Sequence, residues 1–218
     1  MKDLLIKAMY MYKINMEKHA KAYGGKVTYL NQHTVLWGVQ KQQSHNMYTH
    51  SYKGVCAGLA ISWVRATLKG EDFMQQLNTA RNEVMCREKD AAFTPQTDSL
   101  FSDVDSAHLE QLDVDAAFKP IAALKNTAEV SHPYSSADRH FTKGRFYYVS
   151  TASHAMALFC HGSTVDFYDP NVGVVTGVKK KMVGAYMKDC VEASFTLMNM
   201  DLAGLKDKKL FIRGYKPL

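Results

Sequence analysis

The chain has 218 residues, 46% of them apolar and 22% charged: enough to bury one sizeable core, and too balanced for a disordered, collagenous or membrane-spanning chain. A net charge of +6 suits an acidic protein or a weak contact with an anionic membrane surface, and is too small to point to nucleic acid. Four cysteines without a Cys-x-x-Cys pair exclude a zinc ribbon and a dense disulfide framework and fit free thiols.

The N-terminus lacks the basic, apolar and small-residue succession of a secretory signal, so the chain is expected to start in a cytosol. Length favours a single domain over 1–218, with residues 1–25 as a helical extension. From Lys2 to Tyr23, apolar Leu4, Leu5, Ala8, Met9, Tyr12 and Met16 recur at helical spacing among lysines, and Gly24-Gly25 stops the helix. Residues 26–52 are rich in Gln, His, Asn and Tyr and are the least readable; Val35 to Val39 reads as a strand or buried turn. Val55 to Leu68 is densely apolar and small, so a buried helix is expected to begin near Cys56 and be capped by Gly70. A second helix is expected over Glu71 to Lys89. A third is expected to begin near Asp105, to use Leu109, Leu112, Ala116 and Ala117, and to be bent or ended by Pro120.

The texture then changes. Phe146 to Thr151, His154 to Cys160 and Thr164 to Tyr168 are short aromatic and β-branched runs separated by small turn residues, and read as consecutive antiparallel strands. Val172 to Val178 and Lys209 to Tyr215 read as further strands, and Lys181 to Phe195 as a helix. Helices first and strands later predict an α+β fold rather than a doubly wound sheet.

Three residues on these elements suit one chemistry. A thiol attacks as thiolate, which a helix N-terminus and a neighbouring histidine both stabilise, and Cys56 is placed at such a start within Gly54-Val55-Cys56-Ala57-Gly58-Leu59. His154 opens one strand and Asp169 closes the next, so the two can meet across a hairpin. Alone, Cys56 reads equally well as a small buried residue, His154 as a surface histidine and Asp169 as a turn aspartate before Pro170. Together they make a Cys-His-Asp triad in which the imidazole takes the thiol proton and the carboxylate fixes its tautomer.

Gly-Val-Cys-Ala-Gly-Leu opening a helix, Ser153-His154-Ala155-Met156-Ala157 on a strand, and Phe167-Tyr168-Asp169-Pro170-Asn171-Val172-Gly173 closing the next resemble the YopT/AvrPphB family of papain-like cysteine proteases. The resemblance covers these three regions and their order, not the first fifty residues. It implies a papain-like fold in which a helical part carrying the nucleophile packs on an antiparallel sheet carrying His and Asp. It further implies Cys56 as nucleophile, His154 as general base and Asp169 as orienter, in a bacterial virulence effector that is secreted, injected into a host cell and cleaves a specific host protein. The family's side-chain amide a few residues before the cysteine is absent, so His50 or Ser51, or Gln43 from further upstream, is expected as the oxyanion donor. The same triad can also serve a glutamine deamidase or transglutaminase-like effector or a peptidoglycan amidase, and the missing amide leaves room for an inactive interaction module.

No cofactor or metal is expected. Cys160 and His161 are strand neighbours and point to opposite faces. Lys179-Lys180-Lys181 reads as a solvated face and Trp63 as core, and no role is assigned to His108, His132 or His140, which stand in polar or loop contexts.

Overall fold

The computed structural model describes residues 2–30, 55–86, 92–197 and 209–218. Helix α1 (Lys2–Ala22) leads into strand β1 (Lys26–Tyr29), and helices α2 (Cys56–Lys69), α3 (Phe73–Cys86), α4 (Pro95–Leu109) and α5 (Val114–Phe118) follow. Then come β2 (Ala122–Ser131), β3 (Arg145–Ser150), β4 (Ala155–Cys160), β5 (Thr164–Asp169), β6 (Gly173–Lys179), α6 (Val183–Leu197) and β7 (Lys209–Pro217). The strands form one seven-stranded antiparallel sheet in the order β1-β6-β5-β4-β3-β7-β2. The α+β expectation holds, and the four central strands form the expected meander.

Both faces of the sheet are covered. Phe146, Tyr148, Ala155 and Ala157 join the core that α2 to α5 build on one face, whereas Tyr147, Val149, Met156 and Leu158 join a second core with Met16 and Ala20 of α1 and Tyr186 and Met187 of α6. Alternate side chains leave a strand on opposite faces, so a strand buried on both reads as a continuous apolar run. The burial of Met16 and Ala20 shows that α1 lays one face on its own protein.

Helix α2 ends as expected: Gly70 adopts φ 74° and its N–H turns back to Ala66 and Thr67 carbonyls. Near its start, Gly58 faces α4 so closely that a Cβ there would lie 2.3 Å from the Val104 carbonyl oxygen and 2.9 Å from the His108 nitrogen. Glycine alone permits this backbone approach, which fixes the height of α2 above its neighbours.

Three expectations need correction. Helix α4 begins at Pro95, ten residues before Asp105, because Thr94 caps it by accepting from the Thr97 N–H at 3.4 Å and proline suits the first turn. Glu83 of α3 secures that cap, accepting the Thr94 and Thr97 hydroxyls at 2.8 and 2.6 Å. Nor does one helix run to Pro120. A 3-10 turn at Glu110–Asp113 breaks it, Asp113 caps α5 through the Ala116 N–H at 3.0 Å, and Leu109 is 58% exposed instead of lining a buried face. His108 stands not in a polar or loop context but buried on α4 beneath Gly58. Strands β1 and β2 were not anticipated, and the Val35 to Val39 segment lies outside the described residues. Among those described, no helix is long and apolar enough to cross a membrane.

Candidate active site

Cys56 is the first residue of α2. Its N-cap, Val55, offers no side-chain hydrogen bond and the first turn carries no acid, so the leading backbone N–H groups are left for another acceptor and their partial positive charge favours an anion at the thiol. Trp63, two turns on, stacks on Tyr168 of β5 with ring centroids 5.6 Å apart and planes 14° from parallel, while Phe73 of α3 meets the same ring edge-on. These aromatic contacts seat the helical layer beside Asp169.

His154 stands between β3 and β4 in a turn braced by Thr151. The Thr151 hydroxyl accepts the His154 N–H at 3.0 Å and the Ser153 N–H at 3.3 Å, and the Thr151 N–H donates to the His154 carbonyl at 2.8 Å. Sequence reasoning missed Thr151. Its signal was a hydroxyl three residues before the histidine, a common turn device.

Asp169 closes β5 and is wholly buried. Oδ1 accepts from His154 Nε2 at 2.9 Å and from the Asn171 N–H at 2.8 Å, and the Asp169 carbonyl accepts the Val172 N–H at 2.8 Å. The motif Asp-Pro-Asn-Val-Gly is thus a tight turn with proline at its second position. Gly173 ends it at φ 105°, where a Cβ would fall 2.2 Å from the Thr28 carbonyl of β1. The turn holds the carboxylate rigid and passes the chain under β1.

The three predicted residues therefore meet. His154 gives Nε2 to Asp169, leaving Nδ1 for the thiol of Cys56, with which its side chain hydrogen-bonds. Burial pushes the Cys56 thiol up, but the His154 hydrogen bond and charge, together with the Ala155 backbone N–H, outweigh it and bring the thiol below its ordinary value. Burial alone pulls His154 down; the charge and hydrogen bond of Asp169, then those of Cys56, reverse this and raise it to about 10. Asp169 Oδ2 is buried without a hydrogen-bond partner among the described residues, so an imidazolium is the cation at hand to balance that carboxylate. Both shifts favour a thiolate-imidazolium pair.

His50, Ser51 and Gln43, the expected oxyanion donors, lie outside the described residues. Cys160 is buried in the second core, and His161 Nε2 lies 2.9 Å from Asp166 on the surface. Among the described residues no three His, Cys, Asp or Glu side chains gather to hold a metal.

No curated protein sequence matches the chain. Among solved structures it is similar to the Pseudomonas avirulence protein AvrPphB, with 15% identity over 73% of this chain and 90% of that one at a TM-score of 0.43. It is also similar to PatoxP, a cysteine protease-like domain of the Photorhabdus asymbiotica toxin PaTox, with 15% identity over 95% of this chain and 62% of that one at a TM-score of 0.47. A ubiquitin-specific protease encoded by a murine cytomegalovirus tegument protein is 10% identical over 74% of this chain and 76% of its own, at a TM-score of 0.37. Residues 17–203 match the peptidase family described as Yersinia/Haemophilus virulence surface antigen, a span that holds Cys56, His154 and Asp169, and the chain belongs to that family of papain-like cysteine-protease effectors.

Proposed function

We propose that this protein is a cysteine protease that acts on a specific protein substrate through an acyl-enzyme, with Cys56 as nucleophile, His154 as acid and base, and Asp169 as the group that orients His154. The observation that carries the reading is the buried His154 side chain, held by Asp169 at 2.9 Å and set against the Cys56 thiol at the start of α2. The thiolate adds to the amide carbonyl carbon, forming a C–S bond and moving the carbonyl electron pair onto oxygen. The Cys56 backbone N–H receives that oxyanion, with His50, Ser51 or Gln43 as second donor. Collapse breaks the C–N bond, and imidazolium gives its proton to the departing amine. Water, deprotonated by the neutral imidazole, then cleaves the thioester and restores the thiol.

In this reading residues 1–218 form one catalytic domain with 1–25 as its extension. Membership of a virulence family favours a bacterial protein secreted into a target cell, with a host protein as substrate and a weak contact with anionic membrane made by the basic surface.

Alkylation by iodoacetamide, read by peptide mass, tests the site. Cys56 is expected to react faster than the exposed Cys86 at pH 6, with a rate that climbs on the acid side of neutrality and then stays level, whereas amide cleavage, which also needs the imidazolium proton for the departing amine, is expected to fall as His154 loses it near pH 10. The sign follows from the shifts: a lowered thiol moves the acid limb down and a raised imidazole moves the alkaline limb up. A rate for Cys56 that matches Cys86 at pH 6 would leave an inactive interaction module. Intact masses of candidate substrates then separate fragments from the gain of about one dalton that deamidation leaves.

Thr151→Val is expected to lower kcat about tenfold, with KM unchanged and the fold retained, because His154 loses the hydroxyl that fixes its backbone; Thr151→Ser should restore most of the loss. An unchanged kcat in Thr151→Val would remove Thr151 from the site's support.

A further inference from the structure

We infer that Arg213 is a specificity-determining residue that receives an acidic side chain of the peptide substrate beside the scissile bond. This rests on the protease reading for where the peptide lies. The argument begins with strand register. Tyr168 of β5 stands opposite Ala157 of β4, Ala157 opposite Tyr148 of β3, Tyr148 opposite Arg213 of β7, and Arg213 opposite Thr127 of β2. These five form one row across the sheet. Tyr168, Ala157 and Tyr148 belong to the core beneath α2, and Tyr215, two residues from Arg213 and therefore on the same face, belongs to it as well. Leu210 and Ile212 go to the opposite core. Arg213 thus shares the face of the sheet that carries the thiol.

Its distance suits a substrate contact. The Ala155 N–H supports Cys56, and β7 lies two strands from β4, a span of about 10 Å at ordinary strand spacing. An extended peptide covers that in about three residues, and an arginine side chain shortens it further. Helices roof this face over β4 and β3, and Phe118 of α5 meets Tyr215 of β7, but toward β2 it opens: Thr127 and Glu129 are exposed, and Phe211, opposite Ser150 in the neighbouring row, is 43% exposed.

The charge has no counter-ion among the described residues. Arg213 is half-buried, and no carboxylate pairs with it among the described residues. Two acids of the neighbouring elements are engaged elsewhere: Asp115 accepts from the Tyr215 hydroxyl, and Glu129 pairs with Lys209 at 2.6 Å. A guanidinium partly withdrawn from water with no anion beside it among the described residues is poorly compensated, and its planar fork fits a carboxylate. Beside it, exposed Phe211 offers a rest for an apolar side chain, so the platform takes an acidic and an apolar residue from adjacent positions of one chain. The chain's net charge of +6 favours approach of such an acidic segment.

The experiment uses a library of eight-residue peptides in which each position is varied among Asp, Glu, Asn, Gln and Lys. Cleavage by the intact protein is read by mass spectrometry, and binding of the same peptides to the Cys56→Ala protein is read in parallel. Expected is a preference of about tenfold for Asp or Glu at one position within three residues of the cut, abolished in Arg213→Ala, largely kept in Arg213→Lys and turned toward Lys in Arg213→Glu. Thermal melting of each variant verifies the fold. Cleavage without an acidic preference, or with one that survives Arg213→Ala, overturns the inference and leaves the protease reading standing. Arg213-dependent acidic binding without any cleavage sinks the protease reading and, with it, the placement of Arg213 beside a scissile bond. Absence of an acidic preference in both assays overturns the inference.

Discussion

Cys56→Ala is expected to keep the fold and to lose turnover of any amide substrate by about 10⁴-fold or more, because among the described residues only the Cys56 thiol has a histidine set against it. Cys160 and Cys190 are buried in the second core on the far side of the sheet, and burial raises the Cys190 thiol far above its ordinary value. His154→Ala is expected to lose about as much, and the double substitution no more than either alone, since the two act as one unit. The measurement is kcat on the same substrate preparation, with thermal melting as control. Equal activity in wild type and Cys56→Ala would end the nucleophile assignment, whatever the geometry.

Gly58→Ala is expected to cost roughly 3 kcal/mol or more, because the added methyl meets backbone atoms of α4, and a backbone cannot rotate out of the way as a side chain does. For a chain of this length that corresponds to a fall in Tm of about 6 to 12 °C. Any material that stays folded should alkylate Cys56 more slowly, because α2 must lift from α4 and carry its first residue away from His154. Gly70→Ala is the comparison: φ there is also positive, yet a Cβ meets nothing within 4 Å, so only the smaller conformational cost of about 1 kcal/mol is expected. Differential scanning calorimetry of the two variants separates collision from backbone strain. Equal losses would mean that the close crossing of α2 and α4 yields readily to an added methyl.

The features legible in the sequence were those whose physical signal is local. Gly70 announced the end of α2, and the runs over β3, β4 and β5 were buried on both faces and so apolar throughout. Asp169 and His154 were found because one hairpin brings them together. What escaped shares one cause. Strands β1 and β2 form the two edges of the sheet, and an edge strand keeps polar, exposed side chains, so Ala122–Ser131 shows neither alternation nor an apolar run. The start of α4 was marked by Thr94-Pro95, but the helix is weakly amphipathic there, and periodicity led to its more apolar second half. The roles of Tyr148 and Tyr168 were invisible because they depend on which helix lies above them. Arg213 became meaningful only once β7 was seen inserted between β3 and β2, an order that chain sequence does not suggest.

The His154 and Asp169 hydrogen bond closes a loop of 15 residues, whereas Cys56 arrives from a helix far upstream in the chain. Contacts of short sequence separation form early during folding and distant ones late. The acid-base half of the site can therefore assemble within the β4-β5 hairpin while the thiol is still an ordinary one on an undocked helix. Nucleophilicity is then acquired in the last stage of chain collapse, which spares the nascent protein a reactive sulfur and makes the alkylation rate of Cys56 a clock for the docking of its helical layer.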